Sequence, residues 1–194
     1  MPQPSVAPTG NVTLVDVQLA SAYYPILVDL ARHKHCLTYG ELVERAKREN
    51  PDRSVVQKAL AVSTGRRLDI VRVFTSERDL PDLTSLVIGK ASGECGVGFT
   101  RSFDPKAARE MVFDFDWSAV STDFDGFVKH TETAITPRKK VKEPAARQVM
   151  ADYYKAHKGS LPTAIREHRE LIVELIMEGF TPEDAFCQAL TECP

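Results

Sequence analysis

The sequence predicts an α+β protein in which a helix-turn-helix precedes a β-hairpin and a helical unit forms the C-terminal part. In residues 37–60, two short amphipathic segments flank the polar break Asn50-Pro51-Asp52. Between residues 83 and 100, a β-prone run is followed by a glycine-containing turn, which is typical of a hairpin. From residue 144 onward, apolar residues recur at helical spacing.

Residues 1–12 are predicted to form a flexible arm, and a helix follows it. Apolar side chains recur at helical spacing from Val15 to about Cys36, with Pro25 marking a helix start or a kink. Thr38-Tyr39-Gly40-Glu41 fits the S/T-x-x-E capping box, which predicts that the next helix begins at Thr38.

A second helix is predicted to start near Asp52 or Ser54 and to stop at Gly65. Its buried stripe consists of Val55, Val56, Ala59, Leu60 and Val62. Its exposed face carries Ser54, Gln57 and Lys58, and this is how a helix-turn-helix presents side chains to a DNA groove.

The middle of the chain gives less regular signals. Residues 68–78 fit a helix or a strand equally well. Leu83 to Ile88 is predicted to be a strand that forms a hairpin with Val97-Gly98-Phe99-Thr100, and Asp104-Pro105 opens a helix that reaches about Phe113.

A linker is predicted over residues 129–143, because apolar periodicity is missing there. The helical C-terminal unit, residues 144–194, contains three helices over Pro144–His157, Leu161–Glu178 and Pro182–Glu192. A unit of this size buries little core by itself, so we expect it to dock on the main domain or on a second subunit. Its apolar stripe fits either its own core or an oligomer interface, and consists of Ile165, Ile172, Leu175 and Ile176.

Composition indicates a soluble, cytoplasmic protein of 194 residues. The net charge of −2 gives no overall attraction to nucleic acid, so any basic surface must be local. The four cysteines are too scattered for a zinc knuckle or a redox motif. We expect no signal peptide in residues 1–10, and no apolar run long enough to span a bilayer.

Several short motifs carry a resemblance to known families. The TYGEL segment (residues 38–42), with the helix, strand and SG-containing turn predicted after it, resembles the DNA-binding domain of alkylguanine alkyltransferases and alkyltransferase-like proteins. The chain is also similar to uncharacterised bacterial and phage proteins that share a motif pattern, present here as Thr38–Leu42, Leu80–Val87, Gly93, Gly98-Phe99 and Asp116-Trp117. The resemblance covers residues 37–117 and implies a winged-helix-like domain, with a small β-hairpin, over residues 13–128.

The resemblance implies DNA binding for this chain but not the alkyl-transfer reaction of the family. No PCHR motif occurs, and the position matched to its alkyl-accepting cysteine is Ser85, a weaker nucleophile without an adjacent histidine. Alkyl transfer is therefore excluded. Tyr39 matches the tyrosine that helps to rotate a nucleotide out of the duplex, whereas Arg53 is displaced by one residue, about 100° around a helix.

The sequence thus predicts a non-enzymatic DNA-binding protein, a regulator or accessory factor of a phage or mobile element. The proposed contacts are Tyr39, Arg53, Ser54, Gln57 and Lys58, with Arg66 and Arg67 reaching phosphates. We predict no catalytic residue, no cofactor and no metal ligand. The interleaved acids are compatible with a simpler role, local pairing on a solvated helix; they are Glu41, Glu44, Glu49 and Asp52.

Two further hypotheses remain open. The first is a protein-binding inhibitor or adaptor that uses the winged helix and the C-terminal helices, or a homodimer formed through them. The second is a metal-dependent nuclease based on the acidic segment 102–128, although no acid-x-Lys triplet follows Pro81-Asp82. His33-Lys34-His35-Cys36 lacks a second cluster to complete a tetrahedral metal site, and the basic residues 138–142 fit either a phosphate-binding arm or a soluble linker.

Overall fold

A computed structural model describes residues 12–118, 123–135 and 139–191, with the side chains of Val97 and Thr191 excepted. The chain divides into two compact units, Met1–Thr136 and Pro137–Pro194. The predicted arm lies outside the described residues except for Val12, which packs against the core of the first unit.

The first unit consists mainly of helices around one central helix. In chain order its elements are α1 (Leu14–His33), β1 (Leu37–Thr38), α2 (Tyr39–Glu49), α3 (Ser54–Gln57), α4 (Thr64–Ser76), β2 (Val87–Ile88), α5 (Val97–Thr100), α6 (Pro105–Asp114) and α7 (Phe124–Ala134). Short 3-10 helices occupy Ala61–Ser63 and Leu83–Leu86. Among the described residues, β1 and β2 are the only strands, and they pair in parallel with Leu37 opposite Val87 and Thr38 opposite Ile88.

The predicted α+β winged-helix fold is wrong. The structure is 69% helical, and the predicted hairpin is absent from the described residues. In the segment predicted as the first strand of the hairpin, the Asp82 carboxylate accepts a hydrogen bond from the Thr84 amide at 2.9 Å. This bond caps a 3-10 helix over Leu83–Leu86. In the segment predicted as the second strand, the Gly96 carbonyl accepts the amides of Phe99 and Thr100, which makes Val97–Thr100 a helical turn. Local capping therefore overrides the β-propensity of both segments.

The prediction that no apolar run is long enough to span a bilayer is wrong for the central helix, α1. It is 20 residues long and apolar enough to cross a membrane by length and composition, but 61% of its most apolar 18-residue window is buried inside the protein. Pro25 lies on its exposed side, and Val17, Tyr23 and Leu27 are in the core. Since the core helix of a soluble protein has these properties, α1 is consistent with a soluble protein.

Two boundaries in the first unit differ from the predicted ones. The second helix of the helix-turn-helix ends at Gln57, and Leu60 and Val62 of its predicted buried stripe are exposed. Residues 129–134 of the predicted linker belong to α7, because Thr131 extends the buried stripe begun by Phe127 and Val128. The segment 68–78, whose pattern did not distinguish helix from strand, is largely α4.

The second unit contains α8 (Glu143–His157), a 3-10 helix over Thr163–His168, α9 (Arg169–Met177) and α10 (Pro182–Thr191). Gly179, at φ 92°, ends α9 as predicted: its amide donates to Ile176 O and the Phe180 amide to Leu175 O, the Schellman pattern. Thr181 Oγ1 then accepts the Asp184 amide at 3.1 Å and starts α10. The predicted stripe forms the unit's own core, since all four side chains are buried within it: Ile165, Ile172, Leu175 and Ile176.

Candidate functional site

The predicted recognition helix is reduced to the single turn α3. Ser54 and Lys58 are exposed, in agreement with the predicted surface. Gln57 donates from Nε2 to the carbonyls of Lys47 (2.8 Å) and Asn50 (3.0 Å), so its amide nitrogen caps the C-terminal end of α2. All three predicted groove-facing side chains are thus exposed, but the amide nitrogen of Gln57 is already used in hydrogen bonds within the protein.

Arg53 holds α3 against α1. Its Nη2 donates to the Gln18 carbonyl at 2.9 Å and to Ser21 Oγ at 2.8 Å. Both partners belong to α1, so the guanidinium is an internal tether rather than a group that can enter a duplex. The base-flipping role implied by the resemblance has no support from this placement.

Arg66 and Arg67 form core ion pairs rather than phosphate contacts. Arg66 Nη2 pairs with Asp16 Oδ2, and Arg67 Nε lies 3.0 Å from Asp16 Oδ1. The side chain of Arg67 is 0% exposed and that of Asp16 2%. Arg67 also donates to the Ser63 carbonyl. Buried arginines need such partners, because an unpaired buried charge is costly.

Tyr39 is half-buried at the start of α2. A Cβ atom built on Gly96 would lie 2.9 Å from Tyr39 Oη, so the phenol packs directly on this glycine. Burial raises the pKa of Tyr39, and a hydrogen bond from the Gly96 backbone acts in the opposite direction. The first predicted contact residue therefore joins the TYGEL segment to the turn that follows β2.

The motif segments converge around Arg72, a residue of α4. Its Nε donates to Asp82 Oδ2 at 2.9 Å and its Nη2 to Thr84 Oγ1 at 3.0 Å, both in the LPDLTSLV segment. Its Nη1 lies 3.6 Å from Asp69 Oδ1. The guanidinium also lies over the rings of Phe99 and Phe103, with Cζ 5.0 and 5.8 Å from their centroids. We call this group the Arg72 site; it comprises Asp69, Arg72, Asp82, Thr84, Phe99 and Phe103.

Two members of the Arg72 site face solvent. Phe103 is 51% exposed, although its ring packs against that of Phe99 with 5.3 Å between centroids. The side chain of Asp69 is 67% exposed, although desolvation by the surrounding protein raises its pKa and Arg72 lowers it. The site thus presents an aromatic ring and a carboxylate to solvent.

The sequence contains a signal for this site, although none of its six residues is among the predicted DNA contacts. Phe99 and Phe103 flank Arg101 in the segment GFTRSF, and aromatic residues interleaved with a basic one are typical of single-strand nucleic-acid binding. The partners of Arg72 were not predictable in the same way, because they come from separate segments of the chain.

A buried thiol lies behind the Arg72 site. Cys95 Sγ donates to the Ser85 carbonyl at 3.3 Å, and Glu94 pairs with Arg109 beside it. Ser85, the position matched to the alkyl acceptor, is 0% exposed, and its Oγ has no hydrogen-bond partner among the described residues. Neither group is placed to meet a substrate from solvent.

Iodoacetamide is expected to alkylate Cys187 about tenfold or more faster than Cys95 at neutral pH. Cys187 is exposed, whereas Cys95 is buried and burial raises its pKa, which lowers the thiolate fraction. Peptide mass spectrometry measures both rates. In urea the two rates should become similar; equal rates in the folded protein would contradict the buried placement of Cys95.

Four of the six acids that the structure describes in segment 102–128 have partners within the protein: Asp104, Asp114, Asp116 and Asp123. Asp104 caps α6 by accepting the Lys106 amide at 2.9 Å, and Asp114 pairs with Lys34 at 3.5 Å. Asp123 pairs with Arg78 at 3.4 Å. No group of three or more metal-ligating side chains occurs within the described residues, the surroundings of His33, His35 and Cys36 included.

The predicted basic segment 138–142 lies partly outside the described residues, since Arg138 is not described. Lys139, Lys140 and Lys142 are exposed. The Val141 amide donates to the Met177 carbonyl at 3.0 Å, which fixes the end of this segment on the second unit.

Comparison with protein-family models, with curated proteins and with solved structures returns no match. The resemblance to the alkyltransferase DNA-binding domain therefore stays a prediction. We therefore infer function from the geometry of the Arg72 site.

Proposed function

We propose that this protein binds DNA without catalysing a reaction, and that it contacts an unpaired nucleotide at the Arg72 site. One observation carries the proposal: the half-exposed ring of Phe103 is held in place by the guanidinium of Arg72 and the ring of Phe99, 5.3 Å away between centroids. Unpaired bases stack on exposed aromatic rings and on guanidinium planes.

The charges around Phe103 support this proposal. Arg101 and Lys106 are exposed and lie within three residues of Phe103 in the chain; Arg101 lies between α5 and α6, and Lys106 lies in the first turn of α6. Positive side chains beside an aromatic ring can hold the phosphates on either side of a stacked base. The proposed DNA contact lies outside the segment 53–67, because the arginine side chains of that segment form hydrogen bonds or ion pairs with other residues of the protein.

The proposal includes a cytoplasmic location and a role as a regulator or accessory factor of a phage or mobile element. The location rests on the soluble character of the chain, since its longest apolar helix is largely buried. The role rests on the resemblance of the TYGEL and LPDLTSLV segments alone.

Phe103→Ala is expected to weaken binding to a single-stranded oligonucleotide by about 5- to 150-fold, because stacking on an aromatic side chain contributes about 1–3 kcal/mol per base. Fluorescence anisotropy with a labelled single strand, at low salt and then at increasing salt, measures the change. Met111→Ala is the matched control, since Met111 is also exposed but lies outside the Arg72 site.

The same assay tests the proposal as a whole. Wild-type protein should bind the single strand more tightly than the corresponding duplex, with an affinity that falls as salt rises. Failure to bind any single strand at low salt would overturn the proposed function. Equal losses in Phe103→Ala and Met111→Ala would move the contact away from the Arg72 site.

A protein partner is the second candidate function, and one observation favours it. Leu60 and Val62 are exposed and lie two positions apart in the chain, between α3 and α4. Exposed apolar side chains that adjoin one another often mark an interaction surface. A Leu60→Ser/Val62→Ser variant that loses a cellular partner but still binds single strands would assign this segment to protein binding.

A further inference from the structure

Asp69 is the one acidic side chain of the Arg72 site that is mostly exposed. The other, Asp82, is 20% exposed; it accepts Arg72 Nε through Oδ2, and Oδ1 accepts the hydroxyl and the amide of Thr84. Asp69 lies one helical turn before Arg72, and its nearest guanidinium nitrogen is 3.6 Å away, an ion-pair distance too long for a good hydrogen bond. The oxygens of Asp69 therefore retain capacity to accept hydrogen bonds from a ligand.

The position of Arg72 leaves this capacity intact. Two of its nitrogens are already used by Asp82 and Thr84, and its plane lies over two rings. The guanidinium thus stays where the phenyl rings and Asp82 hold it, rather than turning to form a bidentate pair with Asp69. Asp69 and Phe103 both adjoin this one guanidinium: Asp69 Oδ1 lies 3.6 Å from Arg72 Nη1, and the Phe103 ring centroid lies 5.8 Å from Arg72 Cζ.

We propose that Asp69 makes the Arg72 site selective for guanine in single-stranded DNA. This inference rests on the proposed function and names the base that the site prefers. An ionised carboxylate only accepts hydrogen bonds, so it fits a base edge with two adjacent donors. The Watson–Crick edge of guanine offers its N1–H and N2 amino group side by side.

The other bases present a different edge to a carboxylate. Adenine and cytosine each place a ring nitrogen acceptor beside their amino group, and thymine places its single N–H between two carbonyls. Each of these bases can donate one hydrogen bond to the carboxylate where guanine donates two, and the acceptor beside that donor is also repelled by the carboxylate. A site built to hydrogen-bond a ligand discriminates strongly against analogues that lack the matching donors.

The test uses full-length protein and labelled oligothymidylate with one central substitution by guanine, hypoxanthine, adenine or cytosine. We expect the guanine strand to bind about tenfold more tightly than the adenine strand, the order expected when hydrogen bonds to a charged group are lost. The hypoxanthine strand, which keeps N1–H but lacks the amino group, should bind with intermediate affinity.

Asp69→Asn separates selectivity from binding. The amide keeps the shape of the side chain but replaces one acceptor with a donor, so it matches the edge of adenine better than the two adjacent donors of guanine. The variant should therefore lose the guanine preference and bind the adenine strand at least as tightly as the guanine strand, while it still binds plain oligothymidylate. Asp125→Asn, an exposed aspartate in the first turn of α7, is the matched control and should keep the guanine preference. Circular dichroism confirms that both variants are folded.

The outcomes distinguish the two proposals. If wild-type protein binds all strands equally, or if Asp69→Asn keeps the guanine preference, the assignment of Asp69 is overturned while DNA binding stands. If no strand binds at low salt, both proposals are overturned. If Phe103→Ala weakens binding to every strand and Asp69→Asn removes only the preference, both are supported.

Discussion

Replacing Asp16 by alanine is expected to lower the free energy of unfolding of the first unit by about 3–5 kcal/mol, the cost of breaking a buried ion pair on one side. The substitution leaves Arg66 and Arg67 in the core without their carboxylate. It also removes the group that accepts the Thr13 amide at 2.9 Å and completes the capping box of α1. Because domains of this size have stabilities of only about 5–15 kcal/mol, this loss removes a large fraction of the total.

Urea titration followed by tryptophan fluorescence measures this effect, because Trp117 is the only tryptophan in the chain and is buried in the first unit. Asp29→Ala is the matched control. Asp29 also lies on α1 and pairs with an arginine, Arg45 at 2.6 Å, but its side chain is 41% exposed. Exposed pairs contribute about 0–1 kcal/mol, so this variant should unfold near the wild-type midpoint.

A third variant makes the electrostatic explanation testable. Asp16→Leu combined with Arg66→Met and Arg67→Met removes all three charges together. Buried ion pairs can often be replaced by apolar residues at little cost, so this protein should be more stable than Asp16→Ala. If Asp16→Ala and Asp29→Ala lose equal amounts of stability, burial of the charges is not what makes Asp16 important.

Phe74→Ala is expected to destabilise the first unit by a similar amount, about 3–5 kcal/mol, because it opens a cavity in an aromatic cluster. The Phe74 ring packs edge-on against Tyr24 and Phe124, with centroids 5.4 and 4.8 Å apart, and against Phe127 at 5.3 Å. The Arg78 guanidinium covers it at 4.1 Å. The four aromatic residues belong to α1, α4 and α7, so this one ring joins three helices.

The same urea titration measures the loss, and Phe103→Ala serves as its control. Both changes remove a phenyl ring, but Phe103 is half-exposed and contributes less to the core. Equal destabilisation by the two variants would contradict the assignment of Phe74 to the core and of Phe103 to a surface. It would also undermine the use of Phe103→Ala as a probe of DNA binding.

Sequence patterns predicted the second unit well because its signals are local. Gly179 and Thr181 mark a helix end and a helix start through hydrogen bonds to residues at most five positions away. The same holds for Thr38, whose capping box begins α2 as predicted. Such motifs need no knowledge of distant segments.

The errors in the first unit arise where distant residues decide the structure. The basic character of Arg66 and Arg67 suggested phosphate binding, but their partner Asp16 is 50 residues from Arg66 along the chain. Arg53 was assigned to DNA for the same reason, and it is held by Gln18 and Ser21. A list of charged positions does not distinguish a core ion pair from a surface patch, so three of the seven proposed contacts are internal arginines.

The parallel pairing of β1 with β2 has a consequence for the order in which the first unit assembles. It joins Leu37 to Val87, two residues far apart in the chain, through strands only two residues long. Closing this long loop costs conformational entropy, and a ladder of two residue pairs offsets only a small part of that cost. The pairing should therefore form late, after α1 and α4 have packed together. Because the ladder brings Tyr39 to the turn that contains Gly96, the contact between these two residues should be among the last regained on refolding and the first lost on partial opening.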